Sequence, residues 1–182
     1  MASILKVAFI IAVLGLTGAK GQLVEVPNQP WGLGSISSRT PAANSNVEHQ
    51  KYTYDESAGT GTFAYLLDTG VRGSHPDFGG RVIQGHNVWA GYAFDDDSGH
   101  GTHVAGTIIS SRFGVAKNAT IIDVKTVRVV YTTVAKVIEA LDWVAANVTN
   151  TPGRAGKSVI SMSLGIGQTI ALCLNVSRLT WK

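Results

Sequence analysis

Cysteine is almost missing from this chain: Cys173 is alone among 182 residues, so no disulfide staples the fold. Charge is thin as well. Asp, Glu, Lys and Arg together make 15% of the sequence, where an average globular protein carries about 25%. The 15 Lys and Arg residues never form a run and the formal charge is only +3, which excludes a phosphate-binding stripe and, with it, nucleic acid as a partner. The longest apolar run, Val7 to Leu16, is about half of the roughly 20 residues a membrane span requires, which excludes a membrane anchor. There is no internal repeat and no low-complexity tract.

What is present suits one globular domain. Hydrophobic residues are 45% of the chain and glycines number 21, enough for a core with many tight turns and close backbone approaches. The first residues follow a different logic. Lys6, the apolar run and the small residues Thr17-Gly18-Ala19 read as a secretory signal cleaved near Ala19, making the chain secreted and extracellular. Secretion gives meaning to the sequons at Asn118, Asn147 and Asn175. It also makes the lone thiol of Cys173 odd.

Beyond the signal, Gln22 to Glu56 is polar and carries Pro27, Pro30 and Pro41, so it reads as an extended arm with Trp31-Gly32-Leu33 as its anchor on a core. Thr62 to Leu67 is apolar throughout, as a strand covered on both faces is, and Asp68-Thr69-Gly70 ends it in a turn. Val71 to Gly99 reads as loop. A helix rich in small residues follows, about Gly101 to Ser111, then a strand over Thr120 to Val127. The next helix is amphipathic, with Val134, Val137, Ile138, Leu141, Val144, Ala145 and Val148 on one face and Lys136, Glu139 and Asp142 on the other. After Pro152-Gly153 a third strand spans Ser158 to Leu164. This β-α-β-α-β series predicts an α/β fold with a partial doubly wound parallel sheet flanked by helices.

Two residues stand where chemistry gathers. Asp68 lies at a strand's carboxyl end and His100 opens the next helix, so both can face one cleft above the same sheet edge. A carboxylate can fix an imidazole's tautomer and stabilise its cation while the imidazole takes a hydroxyl's proton. The glycines and alanine of Gly99-His100-Gly101-Thr102-His103-Val104-Ala105-Gly106 let this helix pack closely on the sheet. His103, on the same helix face as His100, is expected to pack or hydrogen-bond beneath the site rather than bind metal. Asp95-Asp96-Asp97 departs from an EF-hand loop, which would need a ligand at Gly99 and a glycine at His100, and reads as a solvated loop. His49, His75 and His86 read as surface or loop histidines.

Asp68-Thr69-Gly70, the heptad from His100 to Gly106, and Ser161-Met162-Ser163-Leu164-Gly165, in this order, resemble the subtilisin-like serine peptidases, most closely the fungal proteinase K branch. Further likeness lies in Pro30-Trp31-Gly32-Leu33, Tyr54 to Gly59, His75-Pro76-Asp77-Phe78 and Phe113 to Lys117. The resemblance implies Asp68 as orienting acid, His100 as general base, and the Ser163-Leu164-Gly165 backbone as one wall of a cleft that pairs with an extended peptide or protein substrate. It implies a monomer whose chemistry needs no cofactor; structural calcium occurs in the family, but no ligand set is identifiable here. Its domain plan is a signal over 1–19, an arm of the mature domain over 20–56, an incomplete catalytic domain over 57–165 and a divergent tail over 166–182.

An aspartic peptidase is the competing protease class, since Leu66-Leu67-Asp68-Thr69-Gly70 resembles its active-site triplet and Asp97-Ser98-Gly99 could be the mate. That chemistry needs two carboxylates sharing a proton on matched lobes of an all-β fold, and the helical pattern over Val134 to Val148 opposes it. The family's Gly-Thr-Ser-Met-Ala stretch and the asparagine of its oxyanion hole do not occur in these residues. Thr126 to Thr133 and Ile166 to Lys182 leave the family pattern, and there is no room before Trp31 for an inhibitor-like propeptide. The expectation is a chain without peptidase activity as written: a truncated product of an endopeptidase gene, a peptide-binding pseudoenzyme, or a remnant.

Overall fold

The computed structural model describes residues 21–39 and 50–165. The signal, the tail from Ile166, Pro41, His49, Cys173 and Asn175 lie outside them. The central strand, β3 (Phe63–Asp68), is buried from Ala64 to Asp68, as a strand covered on both faces must be. It pairs in parallel with β5 (Thr120–Lys125) on one side and β6 (Ser158–Ser161) on the other. A further parallel strand, β4 (Val82–Asn87), lies outside β5, giving the order β4-β5-β3-β6.

In chain order helix α2 (His100–Ile109) lies between β4 and β5, and helix α3 (Val134–Asn150) between β5 and β6. They pack on opposite faces of the sheet. Because strand side chains alternate, Ala64, Leu66 and Ile121 meet Ala105 and Ile109 of α2, while Tyr65, Leu67, Ile122 and Val124 meet Ala140 and Val144 of α3. Each large side chain buried this way stabilises the fold by ~1.5–3 kcal/mol. The α/β, doubly wound arrangement stands as the sequence predicts. Helix α3 is set by its own cap: the Thr133 hydroxyl accepts from the Lys136 N–H at 3.2 Å. Its buried stripe is Val137, Ala140 and Val144, whereas Ile138, expected on that face, is exposed.

Several expectations are corrected. The region read as loop contains β4 and a short 3-10 turn, Pro76–Phe78. The strand Val-Ile-Gln-Gly-His-Asn escapes notice because it is an edge strand interrupted by glycine. Gly85 is required there, since a Cβ would stand 2.8 Å from the Trp143 ring of α3. The stretch read as an extended arm is also structured. Strand β1 (Leu23–Gln29) and β2 (Gln50–Asp55) pair antiparallel, with helix α1 (Trp31–Ser37) between them in sequence. Leu33 is the buried anchor and Trp31 is 62% exposed. Tyr52 docks this layer on the domain, its hydroxyl donating to the Val115 carbonyl at 2.8 Å.

Strand β6 is shorter than the run to Leu164. Its ladder with β3 ends at Leu66↔Ser161, whereas the pairing of β3 with β5 runs on to Asp68↔Lys125 and the Asp68 carbonyl accepts from the Thr126 and Val127 N–H groups at 2.8 and 2.9 Å. Among the described residues, no helix is long and apolar enough to cross a membrane.

Candidate active site

At the carboxyl edge of the sheet β3 ends in Asp68, and the chain returns to that edge to begin α2 at His100. The tight approach depends on Gly101, where a Cβ would lie 2.1 Å from the Gly70 carbonyl oxygen. Helix and turn therefore touch backbone to backbone. This brings Nδ1 of His100 to 2.7 Å from Oδ1 of Asp68, with the carboxylate 2% exposed and the imidazole 48% exposed. Oδ1 of Asp68 also accepts from the Thr69 N–H at 2.7 Å. A buried acceptor on Nδ1 holds the proton there and leaves Nε2 as the basic nitrogen of a half-exposed ring.

Around the pair is a polar shell that the sequence reading did not find. The Asp96 carboxylate, expected to be solvated, instead accepts from the Thr69 hydroxyl at 2.7 Å, the Gly99 N–H at 2.8 Å and the Thr102 N–H at 2.9 Å. Burial pushes its carboxyl up, but the hydroxyls of Thr102 and Thr69 and the N–H groups of Thr102 and Gly99 outweigh this and lower it to about 2. Lys125, fully buried, donates to the carbonyls of Thr69 and Asp95 at 2.7 and 2.9 Å and pairs with Asp97 at 3.0 Å. The Asp97 carboxylate is thus turned to Lys125 and the Val129 N–H, while that of Asp68 is turned to His100. A shared proton between Asp68 and Asp97 has no place in this arrangement.

Asp123 lies deeper on the same side, without exposure, accepting from the Val71 N–H at 3.0 Å through Oδ2, while Oδ1 has no hydrogen-bond partner among the described residues. Burial raises its carboxyl to about 7, opposed by the Val71 N–H and Lys125 and reinforced by the charges of Asp96 and Asp68. Two signals could have revealed this shell. A lysine and an aspartate inside the apolar run Thr120 to Val127 are unusual, and Asp96 stands four residues before the helix-opening histidine.

The other residues singled out are less central. Ser163, Leu164 and Gly165 continue past β6 at the same carboxyl edge, Leu164 half-buried and its neighbours exposed, and no hydrogen bond joins them to Asp68 or His100 among the described residues. His103 is not beneath the site; it is exposed and lines an open cleft of about 720 Å³ with Arg72, His75 and Asp77. His75 accepts from the Asp77 N–H at 3.2 Å and caps the 3-10 turn. His86 stacks on Trp143 at 5.3 Å. Among the described residues no cluster of three His, Cys, Asp or Glu could hold a metal ion.

A parallel α/β sheet with a buried carboxylate behind a helix-opening imidazole is a subtilisin-like arrangement, and comparison with known proteins agrees. The Peptidase S8 subtilase family matches residues 59–178. The chain is 45% identical over 144 residues to an alkaline proteinase of Hapsidospora chrysogena, covering 79% of this chain and 34% of that protein. It is 43% identical over 142 residues to alkaline protease 1 of Emericella nidulans, covering 78% and 33%. Among solved structures, a cold adapted subtilisin-like serine proteinase superposes with a TM-score of 0.63 at 39% identity, covering 78% of this chain and 48% of that one. The chain belongs to the subtilase family of serine peptidases. It spans about a third of the length of the curated relatives it matches.

Proposed function

We propose that Asp68 and His100 are the acid and base of a serine endopeptidase site acting on extended peptide or protein substrates. The observation that carries this is the 2.7 Å contact between a buried carboxylate and a half-exposed imidazole. Asp68 orients the ring and stabilises its cation; Nε2 removes the nucleophile's proton and later returns it to the leaving amine. The Ser163-Leu164-Gly165 backbone, continuing an edge strand, serves as one wall of the substrate cleft. The residues before Lys20 direct secretion, and 57–165 form the catalytic portion.

No serine of these 182 residues lies in a Gly-Thr-Ser-Met-Ala segment, and His100 has no hydroxyl partner among the described residues. The 182-residue polypeptide therefore lacks hydrolytic activity by itself, as loss of the serine costs about a million-fold in a related enzyme. The test is a chimera in which residues 21–165 are joined to the remaining portion of the Hapsidospora alkaline proteinase. The chimera is expected to cleave a chromogenic peptide and to lose that activity in His100→Ala, while the 182-residue chain cleaves nothing. An active His100→Ala chimera rejects the assignment. A second reading, peptide capture without cleavage, is favoured by the exposed Val159 and Ile160 of β6; saturable binding of an extended peptide by the 182-residue chain in calorimetry would support it, and no heat of binding would reject it.

A further inference from the structure

The first turn of α2 sets where the His100 ring lies, and its N–H groups need partners from outside the helix. Gly99, at the cap position, has no side chain to supply one. Asp96 supplies it from upstream: Oδ1 accepts from the Ser98 and Gly99 N–H groups at 3.1 and 2.8 Å, and Oδ2 accepts from the Thr102 N–H at 2.9 Å and its hydroxyl at 2.5 Å. A cap needs nothing more, yet Oδ1 also accepts from the Thr69 hydroxyl at 2.7 Å. That hydroxyl in turn accepts from the Gly101 N–H at 2.9 Å, and the Thr69 N–H donates to Oδ1 of Asp68 at 2.7 Å.

One carboxylate therefore registers both members of the acid–base pair, the helix turn that carries His100 and the residue beside Asp68. We propose that Asp96, acting through the Thr69 hydroxyl, is a positioning residue for His100; this rests on the reading of Asp68 and His100 given above. Lys125 closes the other side of the relay by holding the carbonyls of Thr69 and Asp95. The relay suits its task because an acid–base pair tolerates only about 0.5 Å of displacement before its geometry fails. A flexible loop of three aspartates would not deliver that precision.

The test reads the pair itself. In the full 182-residue chain, proton NMR is expected to show a low-field Nδ1–H resonance from His100 bonded to Asp68, identified by its absence in His100→Gln. Asp96→Asn keeps the side chain's size but replaces an acceptor by an N–H2 group, and Thr69→Val keeps the shape without the hydroxyl. Both are expected to lose the resonance, or to speed its exchange with solvent about tenfold, as loss of a charge-assisted hydrogen bond implies. Thr69→Ser, which restores the hydroxyl, is expected to match the unsubstituted chain. Should Asp96→Asn fail to fold, the two Thr69 variants decide. A resonance unchanged in Thr69→Val overturns the proposal, as does Thr69→Ser departing from the unsubstituted chain, or Thr69→Val unfolding where Thr69→Ser folds. Hydrolysis by the chimera is a separate readout: an inactive chimera with the expected NMR pattern rejects the peptidase reading and leaves the relay, and the converse result rejects the relay alone.

Discussion

Strands β3 and β5 present two different surfaces from one alternating pattern. Toward α3 they show Tyr65, Leu67, Ile122 and Val124, apolar except for the Tyr65 hydroxyl, which is satisfied by Asn147 at 2.6 Å. Toward α2 they begin in the same way, with Ala64, Leu66 and Ile121, then change to Asp68, Asp123 and Lys125, each engaged in hydrogen bonds on that side. One face packs along its whole length. The other packs at its amino end and gathers charge at its carboxyl end, where parallel strands all terminate and the chain turns into α2. The site is thus built on strand positions that would otherwise be core, while the opposite face keeps a continuous apolar surface.

The largest effect on the difference between the two faces is expected at Asp123. Its carboxyl is raised to about 7 by burial, so between the ordinary carboxylate value near 4 and about 7 the folded chain holds a proton that the unfolded chain has lost. Folding stability then falls as pH rises through that window, by up to ~4 kcal/mol for a shift of about three units. Asp123→Asn is expected to flatten this slope, matching the unsubstituted chain near pH 4 and exceeding it above pH 7, as read by urea denaturation at a series of pH values. An unchanged slope in the variant would place the pH dependence elsewhere. Asp96 contributes with the opposite sign, since its lowered carboxyl stabilises the fold above pH ~4 and that contribution is lost as pH falls through about 2.

On the purely packing face the expected effect is set by volume rather than pH. Leu67, with no exposure, cut to alanine should cost ~3 kcal/mol from lost burial and the cavity left behind, equally at pH 5 and pH 8. A cost that varied with pH would show the two faces to be coupled. Removing the α3 cap by Thr133→Ala, whose hydroxyl accepts from the Lys136 N–H, should cost ~1 kcal/mol in the same measurement. Smallest of all, Ile138→Lys on the exposed side of α3 should change stability by less than ~0.5 kcal/mol; a larger loss would mean that the sequence-derived helix face, which counts Ile138 as buried, describes the folded chain better than the observed stripe.

The strands β3 and β5 and the helix α3 were legible because each has a local signature: continuous apolar runs for buried parallel strands and a period near 3.6 for the helix. Asp68 and His100 were legible because small residues around each mark a turn and a close helix approach. Edge strand β4 was not, being short, polar and broken by Gly85, and the β1–β2 pairing was hidden by Pro27 and Pro30 in a stretch that reads as polar arm. The site's polar shell was the least legible part. Thr69 and Asp96 stand 27 residues apart in sequence, and Lys125 lies 56 residues from the Thr69 carbonyl it holds.

Spacing within a few positions was enough for β3, β5, α2 and α3, for the alternation that gives the sheet two faces, and for the two residues offered as acid and base. Long-range packing makes the aspartate run from Asp95 to Asp97 a scaffold rather than a solvated loop, buries Asp123 behind the pair and turns His103 outward. A hydrogen bond between distant segments depends on where packing carries each backbone, and neither segment records its partner in its own residues.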